Sequence, residues 1–252
     1  MQWLLDLDGV VWTLDTPIEG SVEAIARLLD LGHSVRFVTN NSSLSRIQYV
    51  DKLTRFGVPV TRDQILTSAM AAATLVKARE RVLAIGERGL VEELVAAGVD
   101  LVLPTRLEDA EDVDAVVLGW YRQFSYSDMS NACVAIRSGA RFIATNADPT
   151  YPLERLVVPG TGALVAAVVT STKAQPVFAG KPEEPMVQLL RPLLTEETIM
   201  VGDRLSTDGR FAARLGVEFG LVHSGVREEH DPDIPVSLQG NSLAAVVEQK
   251  VG

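Results

Sequence analysis

The stretch Leu4-Leu5-Asp6-Leu7-Asp8-Gly9-Val10-Val11 decides the fold, because it joins a buried strand to two closely spaced carboxylates. Residues 2–6 form a short apolar run, a pattern typical of a strand covered on both faces. Gly9 lets the chain turn sharply just after Asp8. Carboxylates this close repel one another, and a divalent cation with oxygen ligands, such as Mg²⁺, offsets the repulsion. The stretch alone leaves open a second interpretation, a strand that simply ends in an acidic turn.

Length and composition limit the classes of protein that the chain can represent. Its 252 residues suffice for one or two domains with a sizeable core, and 47% of them are hydrophobic. The formal net charge of −10 disfavours nucleic acid or an anionic membrane as the main partner. Cys133 is the single cysteine, which excludes a disulfide framework and a cysteine-based zinc site. With no signal peptide and no apolar run of membrane-spanning length, a cytoplasmic location is the default expectation.

A second polar cluster follows the next strand. Residues 34–38 are expected to form a buried strand that ends in Thr39-Asn40-Asn41-Ser42. A helix is predicted to begin there, with Ser42 or Ser43 as its N-cap, and helical stretches are predicted over 45–56 and 67–77. A hydroxyl, two amides and the free N–H groups of a new helix would together form a phosphate cradle. An ordinary polar helix cap is the alternative.

A second α/β series begins after the charged residues 77–81. Hydrophobic periodicity predicts strands at 82–85, 99–103, 116–118 and 141–145 and helices at 90–97, 127–138 and 162–169. Residues 146–152 are predicted to form a proline-rich loop. The stretch Pro159-Gly160-Thr161-Gly162 lacks the third glycine of a dinucleotide fingerprint, since Val165 stands at that position, so we exclude a dinucleotide cofactor site.

The last polar clusters lie in the final third of the chain. Gly180-Lys181-Pro182 opens a predicted helix at 183–190, and a buried strand at 198–201 ends in Gly202-Asp203-Arg204-Leu205-Ser206-Thr207-Asp208. A helix at 207–215 and a strand at 218–222 follow. Three strands therefore end in polar motifs, which converge on one crevice if the strands are parallel. Four carboxylates with a threonine, an asparagine and a lysine suit Mg²⁺-assisted phosphoryl transfer.

This ordered set of motifs resembles the haloacid dehalogenase superfamily of phosphatases, over nearly the whole chain from Leu5 to about Val226. The similarity is to subfamily IIA, the NagD and p-nitrophenyl phosphatase-like branch, which carries a large C2-type α/β cap between the second and third motifs. The stretches Ala144-Thr145-Asn146-Ala147-Asp148 and Pro159-Gly160-Thr161-Gly162-Ala163 also resemble that branch. The resemblance implies a doubly wound, Rossmann-like parallel-sheet core, residues 1–77 and 177–252, and an inserted smaller α/β cap, residues 78–176.

The resemblance also implies catalytic roles. Asp6 would be the nucleophile that forms an aspartyl-phosphate, and Asp8 would protonate the leaving oxygen and then activate water. Lys181 would bind the phosphate and steady Asp6. Thr39, Asn40 and Asn41, which follow the second strand, would bind substrate. Thr39 and Asn40 would contact the phosphate oxygens. Mg²⁺ is the implied cofactor. Its ligands would be Asp6, Asp203 and the main-chain carbonyl of Asp8, and Asp208 would order its water molecules.

Two positions in the cap depart from the family pattern. Tyr121 stands where members often have an acid, in Gly119-Trp120-Tyr121. Tyr151 stands where pyridoxal-phosphate phosphatases have a histidine that contacts substrate. Tyr151 is therefore assigned to substrate binding, and its identity counts against pyridoxal phosphate as the substrate.

We conclude from the sequence that the chain is a Mg²⁺-dependent phosphomonoester hydrolase acting on small phosphorylated metabolites. The alternative is a phospho-aspartate receiver module, a signalling protein without sustained turnover. A receiver lacks an acid two residues after its phosphate acceptor, so Asp8 and the inserted cap favour the hydrolase. A catalytically silent relative is a third interpretation. The resemblance further suggests a homodimer formed through the cap.

Overall fold

The computed structural model of the chain describes residues 1–152 and 156–252. Its strands, in chain order, are β1 (Gln2–Leu5), β2 (Trp12–Thr13), β3 (Thr16–Pro17), β4 (Ser34–Thr39), β5 (Ile65–Thr67), β6 (Arg81–Ile85), β7 (Asp100–Leu101), β8 (Ala115–Leu118), β9 (Arg141–Ala144), β10 (Thr150–Pro152), β11 (Val157–Pro159), β12 (Val177–Phe178), β13 (Thr198–Gly202), β14 (Glu218–Val222) and β15 (Leu238–Gly240).

The α-helices, in the same order, are α1 (Ser21–Asp30), α2 (Arg46–Arg55), α3 (Ser68–Ala73), α4 (Arg88–Ala96), α5 (Tyr126–Arg137), α6 (Thr161–Thr172), α7 (Glu184–Leu190), α8 (Arg210–Leu215) and α9 (Leu243–Val251). Short 3₁₀ segments occupy Arg62–Gln64, Leu107–Ala110 and Arg191–Leu193, and a π-helical turn occupies Leu205–Gly209. None of the described helices is long and apolar enough to cross a lipid bilayer.

The larger sheet has six parallel strands in the order β15-β14-β13-β1-β4-β5. Every residue of β1 is buried, because helices cover both faces of the sheet. Trp3 and Leu5 pack with Ile25 of α1, whereas Leu4 points to the opposite face and packs in the cluster that contains Phe211 of α8. This alternation explains why the strand is apolar at successive positions.

The strand order brings the three polar motifs to one edge. Leu5 at the end of β1 lies opposite Val201 of β13 and Phe37 of β4, so the three strands end at nearly the same level. Since ligands bind at the carboxyl ends of parallel strands, the residues that follow β1, β4 and β13 form a single crevice. The fold class expected from the sequence is confirmed.

The smaller sheet has five parallel strands in the order β12-β9-β8-β6-β7. Residues 81–144 supply four of these strands, which supports the proposed insertion of a cap between the two parts of the core. The fifth strand, β12, lies just beyond the boundary predicted at residue 176 and pairs with β9. We retain the division at 77 and 176 as a proposal, with β12 as the strand that returns the chain to the core.

Three local predictions are wrong. No helix begins at Ser42 or Ser43: α2 begins at Arg46, capped by Ser45, whose side chain accepts from Gln48 N while the Gln48 side chain bonds the Ser45 N–H. The loop predicted at 146–152 contains β10, which forms an antiparallel hairpin with β11. The helix predicted at 207–215 is present as α8 over 210–215, but its first turn is wrong, because residues 205–209 are π-helical.

Side-chain contacts join the proposed cap to the core. The Arg46 Nε of α2 lies 2.8 Å from Glu93 Oε1 of α4, and both side chains are largely buried. The Ser42 and Thr145 hydroxyls lie 3.3 Å apart, on either side of the boundary. These contacts bring the β10–β11 hairpin over the crevice.

Candidate active site

Lys181 and two aspartates form a buried ion cluster at the centre of the crevice. The Lys181 Nζ donates to Asp6 Oδ1 at 2.8 Å, to Asp208 Oδ1 at 2.6 Å and to the Val38 carbonyl at 2.7 Å. Lys181 is only 3% exposed, so its charge is neutralised by these partners rather than by water. The Asp6 N–H donates to the Val201 carbonyl, which continues the sheet ladder to this position.

Burial and mutual repulsion govern the protonation of the cluster. Burial raises the pKa of Asp6 well above its usual range, although the Lys181 ammonium opposes the shift. Burial would lower the pKa of Lys181, but Asp208 and Asp6 together raise it, so this lysine stays charged. The site therefore holds a fixed cation beside an aspartate whose negative charge is costly in the absence of further positive charge.

Asp203 completes a set of three acids. Asp6, Asp203 and Asp208 each offer one carboxylate oxygen, and these oxygens lie within 4.8 Å of one another. Burial, followed by repulsion from Asp208, raises the pKa of Asp203 to about 7. The Val226 N–H donates to Asp203 Oδ2 at 2.6 Å and fixes its orientation. An all-oxygen donor set of this kind suits a hard divalent cation, which would relieve the repulsion.

Glycines allow the acids to approach each other this closely. A Cβ on Gly202 would lie 2.2 Å from the Asp208 side chain, and one on Gly9 would lie 2.5 Å from Asp203 Oδ2. Gly9 also has φ +88°, a conformation that other L-residues rarely adopt. The glycines of both acidic motifs are therefore required by the site itself.

The Asp8 carboxylate points away from the acid cluster and towards the cap. Its Oδ1 accepts from Trp12 Nε1 at 3.1 Å and from the Tyr151 hydroxyl at 3.1 Å, and its Oδ2 lies 3.4 Å from Asn41 Nδ2. Burial and the nearby Asp8 charge raise the pKa of Tyr151, so the phenol stays protonated and remains a donor. Asp8 is thus oriented by donors from both sides of the crevice.

Thr39 and Asn40 occupy different positions in the crevice. Thr39 is buried, accepts from the Asn41 N–H at 3.0 Å through its hydroxyl and borders the cavity beside Asp6. The Asn40 amide donates to the Lys181 carbonyl at 3.0 Å and to Asp148 Oδ2 at 3.2 Å, and its oxygen accepts from the Lys181 N–H at 2.7 Å. Both N–H groups of this amide are engaged, so the Asn40 side chain holds the lysine loop in place.

Sequence reasoning missed part of the cap's contribution. Trp120 stacks on Tyr151 with ring centroids 4.4 Å apart, and Asn146 Nδ2 donates to the Asn40 carbonyl at 2.7 Å. Asp148, whose pKa burial raises, also faces the crevice. The sequence marks the motif that contains Asn146 and Asp148 only by its family resemblance, which implies no role for either residue.

Two cavities meet at Asp8. The smaller, about 70 Å³, is bordered by residues of the ion cluster and by Thr39 and Tyr151. The larger, about 710 Å³, lies between the core and the cap and is bordered by Trp12, Tyr49 and α6. Four residues border both cavities: Asp8, Asn41, Trp120 and Tyr151.

Comparison with known proteins agrees with this geometry. Residues 3–100 match a family model described as haloacid dehalogenase-like hydrolase, and residues 178–245 match a HAD-hydrolase-like model. The chain is 40% identical over 238 residues to the 5'-nucleotidase YutF of Bacillus subtilis, covering 92% of this chain and 90% of that protein.

Solved structures of similar proteins share the whole fold. A p-nitrophenyl phosphatase from Archaeoglobus fulgidus superposes with a TM-score of 0.87 at 32% identity, covering 98% of both chains. A glycerol phosphate phosphatase from Mycobacterium tuberculosis in complex with magnesium superposes with a TM-score of 0.86 at 34% identity, covering 97% of this chain and 75% of that one. The chain thus belongs to the haloacid dehalogenase-like hydrolases, in the NagD and p-nitrophenyl phosphatase-like subfamily, and is a phosphatase of small phosphorylated substrates.

Proposed function

We propose that the chain hydrolyses phosphate monoesters in two steps, through a phosphoryl group carried on Asp6. The main support for this proposal is that two neighbouring aspartates have different hydrogen-bond partners. Asp6 is fixed by Lys181 within the acid cluster, whereas Asp8, two residues later, faces the cap with hydrogen bonds from Trp12 and Tyr151. One carboxylate is therefore placed to attack, and the other is placed to exchange a proton with the leaving group.

In the first step, a carboxylate oxygen of Asp6 forms a bond to phosphorus while the bond from phosphorus to the ester oxygen breaks. Asp8 transfers its proton to that oxygen, so the alcohol leaves uncharged. In the second step Asp8 takes a proton from a water molecule, whose oxygen attacks phosphorus and releases Asp6. The products are the alcohol and inorganic phosphate, and both carboxylates return to their starting states.

Mg²⁺ is the proposed cofactor. Asp6, Asp203 and the main-chain carbonyl of Asp8 would hold it, and Asp208 would order its waters. When bound, the ion neutralises the charge of the phosphoryl group and of the acid cluster. The raised pKa values of Asp6 and Asp203 support this assignment, because they indicate a site with more negative charge than Lys181 alone can balance.

The phosphoryl group is proposed to lie in the small cavity beside Asp6. Thr39 and Lys181 border this cavity and supply a hydroxyl and an ammonium. Asn41 borders it as well, whereas the engaged amide of Asn40 favours a positioning role over direct phosphate contact. Nucleotides and glycerol phosphate, which the names of two similar proteins indicate for those enzymes, are candidate substrates. The homodimer through the cap stays a prediction.

Metal removal tests the proposal. We expect excess chelator to abolish hydrolysis of p-nitrophenyl phosphate and added Mg²⁺ to restore it. Ca²⁺ should substitute poorly, because its larger and looser coordination shell need not hold Asp6 in line for attack. Full activity in chelator would contradict the role of the metal. A single turnover per site, without sustained hydrolysis, would instead support the receiver-type alternative.

A further inference from the structure

Asp148 is a half-buried acid of the proposed cap that the phosphoryl chemistry described above does not use. Its Oδ2 accepts a hydrogen bond from Asn40 Nδ2 at 3.2 Å, which joins the cap to the core beside the small cavity. Burial raises the pKa of Asp148, and the Arg204 guanidinium is the strongest influence that opposes the rise. Asp148 can therefore act on the core in two ways, through its hydrogen bond to Asn40 or through its charge.

The Asn40 side chain bonds both polar groups of the Lys181 backbone. Asn40 Oδ1 accepts from the Lys181 N–H at 2.7 Å, and Asn40 Nδ2 donates to the Lys181 carbonyl at 3.0 Å. A side-chain amide has two N–H protons, so the proton that does not serve Lys181 serves Asp148. Loss of the Asp148 acceptor would leave that proton without its partner and would remove one of the three bonds that orient the amide.

The segment that carries Lys181 is attached to the smaller sheet. The ladder between β9 and β12 continues beyond β12, because the Gly180 N–H donates to the Thr145 carbonyl at 2.7 Å. A Cβ on Gly180 would lie 2.4 Å from Asn40 Oδ1, so this segment packs tightly against the amide. The Lys181 backbone thus follows from the sheet of the proposed cap, whereas its ammonium bonds two aspartates of the core.

The cap contacts Asn40 at its main chain as well as at its side chain. Asn146 Nδ2 donates to the Asn40 carbonyl at 2.7 Å, and Asn146 Oδ1 accepts from the Asp148 N–H at 3.1 Å. We propose that Asp148 is a positioning residue, which fixes the backbone of Lys181 through the side chain of Asn40. The Lys181 ammonium then lies where it holds Asp6 for attack. The inference rests on the phosphomonoesterase function proposed above.

Single-turnover release of nitrophenolate from p-nitrophenyl phosphate, with enzyme and Mg²⁺ in excess, measures phosphoryl transfer to Asp6 alone. Asp148→Leu removes the acceptor and should lower the maximum rate about tenfold, with the half-saturating enzyme concentration little changed. Asp148→Asn keeps an oxygen acceptor without the charge, so its rate should stay within about threefold of wild type. Asp112→Leu is the matched control, at a cap aspartate whose side chain is 85% exposed, and should match wild type.

A double-mutant cycle with Asn40→Ala tests the route of the effect. Asn40→Ala removes both side-chain bonds to Lys181 and should itself slow the reaction, and Asp148→Leu should then cost less than about twofold more.

Three outcomes would overturn the inference: an unchanged rate in Asp148→Leu, an equal loss from Asp148→Leu with and without Asn40, or a loss in Asp148→Asn as large as in Asp148→Leu. The last would assign the effect to the charge of Asp148. If thermal unfolding shows that Asp148→Leu does not fold, Asp148→Ala replaces it in both backgrounds. A wild-type enzyme that releases no nitrophenolate with Mg²⁺ would contradict the proposed function, and this inference with it.

Discussion

The core and cap sides of the crevice are built differently. On the core side, Lys181 and Asp208 are almost fully buried, and the lysine has three hydrogen-bond acceptors. On the cap side, Tyr151 makes one hydrogen bond to Asp8 and stacks on the partly exposed Trp120. The core thus holds its charged groups in one arrangement, whereas the cap contacts can be exchanged for contacts with a substrate. We therefore propose that the chemistry belongs to the first region and substrate choice to the second.

Replacing Lys181 on the core side should have the largest effect on hydrolysis and stability. Lys181→Met leaves Asp6 and Asp208 buried without their cation, and breaking a buried ion pair costs about 3–5 kcal/mol. We expect loss of hydrolysis and a clearly lower free energy of unfolding at pH 8 in chelator, measured by urea denaturation. Lys77→Met removes the same charge from an exposed position and should change neither quantity. A Lys181→Met protein of normal stability would show that the cluster is not held by this lysine.

The next effect concerns Asp203 and has a defined pH dependence. With the pKa of this carboxyl raised from 3.8 to about 7, the folded protein binds more protons than the unfolded chain between those two pH values. Asp203 therefore lowers the stability of the metal-free protein as pH rises from about 4 to about 7, by about 1.4 kcal/mol for each pH unit in that window. Asp203→Asn removes the titration, so the variant should gain stability over wild type on going from pH 5 to pH 8 in chelator.

Thermal unfolding of both proteins across this pH range measures the difference. Mg²⁺ should raise the melting temperature of wild type more than that of Asp203→Asn, because the variant has lost a proposed ligand. If Asp203→Asn became less stable than wild type as pH rose, the carboxylates would not be repelling one another, and the account of the cluster would be wrong.

The smallest effect should come from the cap. Tyr151→Phe removes one donor to Asp8 Oδ1 and keeps the ring on Trp120, and such a hydrogen bond is worth about 1 kcal/mol. We expect about a fivefold loss of kcat with alkyl phosphates and a smaller loss with p-nitrophenyl phosphate, whose leaving group needs no proton. Tyr126→Phe, at a tyrosine that is 80% exposed, is the control. Equal losses with both ester types would assign Tyr151 to structure alone.

The core side could be predicted from sequence because most of its residues follow a buried strand. Asp6, Thr39 and Asp203 lie at the ends of apolar runs, and a parallel sheet aligns such ends without further information. Residue type alone says less about Lys181, since it follows the two-residue strand β12 and reaches Asp6 only through tertiary packing. The metal ligands and catalytic roles remain predictions, although the structure brings these side chains together.

The cap side was harder to predict, for identifiable reasons. Pro149 and Pro152 suggested a loop over 146–152, yet Pro152 lies in β10, which pairs only with β11 among the described residues, so a missing N–H is tolerated there. Stacking of Trp120 on Tyr151 joins the loop after β8 to strand β10 and leaves no periodic signal. A helix start predicted at Ser42 or Ser43 is absent, whereas the helical stretch predicted over 45–56 is α2, whose capping box pairs Ser45 with Gln48.

Rapid mixing of Asp8→Asn with p-nitrophenyl phosphate tests the central claim most directly. Nitrophenolate leaves without a proton, so Asp6 should still be phosphorylated, but the second step should stall because the water has lost its base. We predict a burst of nitrophenolate close to one per site, followed by a slow phase, with the phosphate located by mass spectrometry on the peptide that contains Asp6. Alkyl phosphates should give no burst. Steady and unimpaired turnover of both ester types by Asp8→Asn would contradict the assignment of Asp6 and Asp8 to separate tasks.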